Sequence, residues 1–217
     1  MAKGGLSKEN TIRLPKLLIV EGNHERDFFE AWLQILGMVD IQIMPIGGKT
    51  RLRDNLSSLV KQRPFLDGFV SSIVIVRDAD DSPAGAFASV RDAIQDIGLP
   101  IPSRCLEMTQ GNSPSVGIAV VPAADQNGAL EELLIETVAD DPTLTLAISF
   151  IDNAVAILQA SHYRDHPAPH RFGKAKVHAY LATFVEPDKD LGKAALAGVW
   201  QYTHNALSPL LGILRNM

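Results

Sequence analysis

Short apolar runs alternate with amphipathic periods through the first two thirds of the chain. Leu17-Leu18-Ile19-Val20 is continuously apolar and ends at Glu21-Gly22, the pattern of a strand buried on both faces. Asn23 follows as the expected N-cap, with Glu25 and Asp27 in a first turn where the helix dipole favours acids. Phe28, Trp32 and Leu36 then form one i, i+4 row beside Phe29 and Leu33, and Gly37 ends the helix. Ile41 to Ile46 reads as a second strand followed by Gly47-Gly48, and Leu52, Leu56, Leu59 and Val60 line a helix that stops before Pro64. Ile73 to Val76 is the most strand-like run and ends at Arg77-Asp78. Ser82-Pro83 opens the next helix, with Phe87, Val90, Ile94 and Ile97 as its buried stripe. Val116 to Val121 gives a further strand, and Gly128 opens a helix carrying Leu130, Leu133 and Leu134.

Strands alternating with helices in this way predict an α/β, Rossmann-like fold: a mainly parallel sheet flanked by helices. After Asp140 only helical periods remain. Leu144, Ile148, Ile151, Val155 and Leu158 mark one helix, Val177, Tyr180, Leu181 and Phe184 another, and Ser208-Pro209 starts a last one with Leu210, Leu211 and Leu214. The expected division is therefore an α/β core over residues 14–140 and a C-terminal helical extension over 141–217, packed on that core. Ser161 to Phe172, rich in His and Pro, reads as a loop, and Met1 to Arg13 as a polar leader.

Composition narrows the function classes. With 217 residues, 46% of them hydrophobic, the chain can bury a substantial core. Its net charge of −5 supplies no bulk basic field, so any contact with nucleic acid needs local basic clusters or bound cations. The one cysteine, Cys105, excludes an intramolecular disulfide and a cysteine-rich zinc cage. No signal-type apolar segment is read near the start and no run approaches membrane-spanning length, so the expectation is a cytoplasmic protein with no membrane partner.

In parallel sheets the loops beyond the carboxyl ends of the strands form the site. Two such loops here end in acids: Glu21 after Val20, and Asp78, Asp80 and Asp81 after Val76. Residues two apart on extended chain point the same way, so Asp78 and Asp80 are expected to converge. Crowded carboxylates repel unless a hard cation joins them, and oxygen-only donors suit Mg2+ or Mn2+. The segments Leu18-Ile19-Val20-Glu21-Gly22 with Glu25, and Ile75-Val76-Arg77-Asp78-Ala79-Asp80, resemble the Toprim pattern shared by topoisomerases, primases and overcoming-lysogenization-defect (OLD) nucleases. The likeness spans roughly Lys16 to Val121. Over its full length the chain more closely resembles a set of small bacterial Toprim-fold proteins, through Val76 to Asp80, Gly128 to Leu133 and Lys174 to Leu181.

The resemblance implies that Glu21 acts as general acid/base and that Asp78 and Asp80 hold Mg2+, giving a nuclease or phosphoesterase. The rival it leaves is a non-catalytic binding or regulatory module, working with a separate ATPase. Such an ATPase would have to be a partner, because Gly47-Gly48-Lys49-Thr50 lacks the earlier glycine of a P-loop: Ile43 stands there. Gly22, Gly47, Gly48, Lys49, Arg77, Lys174 and Lys176 are candidate phosphate or substrate contacts. Asp81, Glu25, Asp125, Glu131 and Glu132 are candidate further ligands. Each also has a plainer reading as a tight turn, a solvated face or a helix-dipole acid.

Overall fold

The computed structural model describes residues 11–111, 113–161, 165 and 171–217. Four strands, β1 (Lys16–Val20), β2 (Ile41–Pro45), β3 (Ser72–Asp78) and β4 (Ser115–Val121), form one parallel sheet in the order β2-β1-β3-β4. Each lies where an apolar, strand-like run predicted it, with Gln42 interrupting the run in β2, and the α/β fold with C-terminal helices holds.

The order has a consequence for the site. From β1 the chain steps outward to β2, then crosses back over β1 to place β3 on its other side. Because such crossovers are right-handed, reversing the direction of travel moves the connecting helices to the opposite face. Thus α1 (Asn23–Leu36) lies on one face, where Phe28, Phe29 and Trp32 pack on Leu18, Val20, Val74 and Val76. Helices α2 (Leu52–Leu59) and α4 (Pro83–Asp96) cover the other, where Leu56, Val90 and Ile94 meet Leu17, Ile19, Ile73 and Ile75. The alternation of Leu17 to Val20 between the two clusters is the period-two signature of a strand buried on both sides. The reversal falls between the carboxyl ends of β1 and β3.

The α1 face also receives the C-terminal helices: α5 (Leu130–Thr137), α7 (Phe172–Leu181), α8 (Leu191–Leu196) and α9 (Ser208–Arg215), through Leu133, Tyr180, Ala195, Trp200 and Leu214. Helix α8 approaches α1 so closely that a Cβ at Gly192 would lie 2.7 Å from the Asp27 carbonyl oxygen. The outer edge of β4 is covered by the segment before it: Leu106 N–H donates to Ile118 O at 2.7 Å and Thr109 N–H to Val116 O at 2.9 Å.

Some local expectations are corrected. Gly22, not Asn23, is the N-cap of α1. The short helices α3 (Arg63–Leu66) and α8 carry too few turns to show a period in sequence. Ser82 does cap α4, accepting from Gly85 N–H at 3.1 Å. The most consequential correction concerns α6 (Pro142–Ser161). This helix has 20 residues, and an 18-residue stretch of it has a mean hydropathy of 1.5, long and apolar enough by length and composition to cross a membrane. Scattered polar residues (Thr143, Thr145, Ser149, Asp152, Asn153) break the run, yet the apolar residues between them keep its average high. The helix leaves Leu146, Phe150 and Ile157 exposed. Most of the Ser161 to Phe172 loop and of the Met1 to Arg13 leader lie outside the described residues, as do His162, His166 and His170.

Candidate functional site at the carboxyl ends of β1 and β3

Four elements bring acids together at the reversal point. Glu21 follows β1 and is half-buried. Glu25, one turn into α1, folds back toward it, and a Cβ at Gly22 would sit 3.0 Å from Glu25 Oε2, so glycine makes room for this carboxylate. Asp78 closes β3 on the α1 face. Glu131 enters from the first turn of α5. Glu25 and Glu131 are only 8% and 2% exposed, values that acids rarely reach without a partner.

Asp78 is the centre of this group. Burial pushes its carboxyl well above the usual range, and the charges of Glu25, Glu131 and Glu21 add to the shift; the Leu130 N–H, donating at 3.2 Å, opposes it. Among the described residues no lysine or arginine pairs with Asp78 or Glu25. Glu131 has Lys174 Nζ at 3.4 Å. Glu21 is also raised, first by burial and then by Asp80 and Glu25, against the lowering effect of Arg77 and Lys49.

Asp80 takes a different course. Its φ of +49° lies in the left-handed region, which ends the alternation that would have aimed it alongside Asp78. Its N–H and carbonyl both bond to Gly128 at 2.8 Å, and its carboxylate turns to Lys49 at 3.1 Å, with Arg77 Nη2 at 3.9 Å. Arg77 Nη1 donates to Glu21 Oε2. The expected convergence of Glu21, Asp78 and Asp80 is therefore not what the side chains do: two of the three carboxylates face basic groups. Among the described residues no three acidic, His or Cys side chains stand close enough to hold a metal ion as placed.

The donor chemistry nonetheless suits a hard cation, since it is all carboxylate oxygen and two of the acids, the buried Glu25 and the half-buried Asp78, lack a compensating charge. Of the remaining sequence candidates, Gly47 and Gly48 form a turn at φ +72° and +97°, and Gly48 N–H donates to Glu21 O at 2.9 Å, tying the Lys49 loop to the end of β1. Glu132 caps its own helix, accepting from Ala129 N–H at 2.8 Å. Asp125 and Asp81 are exposed, the latter on the rim of a cavity of about 250 Å³ with Arg77, Asp80 and Ser82. Lys176 pairs with Asp152 at 2.9 Å and joins α7 to α6. His24 is exposed and Cys105 is part-buried, accepting from Val120 N–H at 3.3 Å.

Two features escaped sequence reasoning. The sequence marks Arg77 as a candidate phosphate contact but not its burial or its pairing to Glu21; the available signal is an arginine directly after four buried strand residues. The other is Gly173, where a Cβ would fall 1.8 Å from Glu132 Oε1, and nothing in the sequence points to that contact.

No curated protein matches the chain. Among solved structures, it is similar to the C-terminal region of the OLD protein of Xanthomonas campestris pv. campestris, at 17% identity and a TM-score of 0.38, covering 94% of this chain and 98% of that one. The family described as a protein of unknown function, DUF3226, matches residues 15–217, and the chain belongs to that family.

Proposed function

We propose that the chain is a Mg2+- or Mn2+-dependent phosphoesterase or nuclease of the Toprim kind, with Asp78 as the anchoring ligand. The observation that carries this reading is the buried carboxylate of Glu25 beside the half-buried one of Asp78, neither with a basic partner among the described residues, and with Glu131 and Glu21 beside them. An uncompensated buried acid costs several kcal/mol or must take up a proton. A divalent cation relieves all of these repulsions at once.

Glu25, Glu131 and Glu21 are the candidate companions of Asp78. Asp80 joins them where its carboxylate leaves Lys49. When bound, the cation would neutralise a phosphodiester and polarise its oxygen. Glu21 would take a proton from water, and its raised pKa suits a general base that must later release it. Lys49, Arg77 and Lys174 would offset phosphate charge, the local basic clusters that an overall charge of −5 makes necessary.

The test is calorimetric titration of Mn2+ into the wild type and Asp78→Asn, followed by cleavage assays on single- and double-stranded DNA and RNA with Glu21→Gln as control. Mn2+ binding by the wild type, lost in Asp78→Asn, with activity reduced ~10²–10⁴-fold in Glu21→Gln, is the expected result. A wild type that takes up no Mn2+ removes the reading.

The pairs Glu21–Arg77 and Asp80–Lys49 favour a second reading, because they neutralise part of the site without a cation. On that reading the chain is a non-catalytic binding or regulatory module with a separate ATPase as partner. Nucleic-acid binding without cleavage, unchanged in Glu21→Gln, would support it.

A further inference from the structure

Two cations converge on a single carboxylate oxygen. Lys49 Nζ lies 3.1 Å from Asp80 Oδ2, and Arg77 Nη2 lies 3.9 Å from the same atom. That oxygen stands where an oxygen of a bound anion would stand. Arg77 is only 6% exposed and its Nε has no hydrogen-bond partner, so its buried guanidinium keeps an unused donor. A planar guanidinium beside an ammonium suits the oxygens of a phosphoryl group. Asp80 can also give way cheaply. Its main chain is fixed by the two bonds to Gly128, so its carboxylate leaves by side-chain rotation while the loop stays in place.

We infer that Lys49 and Arg77 form an oxyanion subsite for a phosphodiester, occupied at rest by the carboxylates of Asp80 and Glu21, so that phosphodiester and divalent cation bind cooperatively. The inference rests on the metal reading above. A phosphate that engages Lys49 and Arg77 releases Asp80 and Glu21 as oxygen donors. A cation that engages those carboxylates releases Lys49 and Arg77 as hydrogen-bond donors. Each ligand thus removes an ion pair that the other would have to break, and linkage makes the effect equal in both directions.

The experiment titrates Mn2+ calorimetrically into the full chain alone, with a phosphorothioate-linked dinucleotide that resists cleavage, and with the uncharged methylphosphonate analogue. The phosphorothioate should tighten Mn2+ binding about tenfold, within the usual span of coupling between sites. The methylphosphonate should leave it unchanged. In Lys49→Ala, Mn2+ alone should bind more tightly than to the wild type, because Asp80 then keeps only the longer contact to Arg77, and most of the enhancement should disappear. Lys49 is largely exposed, so this variant folds normally. Equal Mn2+ affinity with and without the phosphorothioate overturns the coupling while leaving the metal site standing. An enhancement that survives intact in Lys49→Ala overturns the subsite. Absence of Mn2+ binding in all three titrations overturns both the subsite and the metal reading.

Discussion

Asp78 and Asp80 are two residues apart, yet they lie on electrostatically opposite sides of one loop. On the Asp78 side, facing α1 and α5, carboxylates accumulate, and among the described residues the ion pair made there is that of Lys174 with Glu131. On the Asp80 side, facing α2 and α4, each acid has a base: Glu21 has Arg77, and Asp80 has Lys49. The difference arises in the backbone. Strand alternation carries Asp78 to the α1 face and Arg77 to the other, and the left-handed turn at Asp80 then breaks the register. A site can therefore be poised for a cation on one side and self-neutralised on the other within a few residues.

The comparison can be broken most forcefully at Arg77. Arg77→Met leaves Glu21 half-buried without its partner and should cost about 3 kcal/mol. For a domain of this size that is roughly 6–12 °C of melting temperature, read by calorimetry, and Mn2+ should restore part of it. On the acid-lined side, Gly173→Ala forces the Glu132 carboxyl from its cap on Ala129 and should cost about 1 kcal/mol, measured by urea denaturation.

Asp78→Asn is expected to act in the opposite direction and more weakly. The folded-state pKa of Asp78 is raised, so the protonated acid is favoured in the native protein. Its contribution to stability is full below the unfolded-state pKa and is lost as pH rises through the folded-state value. Without metal, Asp78→Asn should thus melt above the wild type at pH 7, and the gap should close in acid; added Mn2+ should reverse the order. The smallest effect belongs to Lys49→Ala, which removes an exposed pair and should change stability by less than about 0.5 kcal/mol in either direction.

Much of this was legible from local pattern. The buried strands announce themselves because an unbroken apolar run has few other homes, and the cap at Ser82-Pro83 needs only neighbouring residues. That Glu21 and Asp78 each end a strand also follows from the pattern, whereas the adjacency of those strands comes from the sheet order. The detailed pairing does not, because it depends on contacts distant in sequence: Glu21 with Arg77, Lys49 with Asp80, Gly173 beside Glu132. The expected convergence of Asp78 and Asp80 failed for a specific reason. It assumed extended chain through residue 80, and strand pairing ends at Asp78.

The paired bonds between Asp80 and Gly128 stitch the loop after β3 to the loop before α5. Gly128 has φ +127°, a conformation that side chains disfavour, so the stitch depends on glycine at that place. Asp78 stands just upstream on one thread and Glu131 just downstream on the other. The rim that holds them behaves as one mechanical piece: a displacement at either loop is handed to the other, and the spacing of their carboxylates survives it.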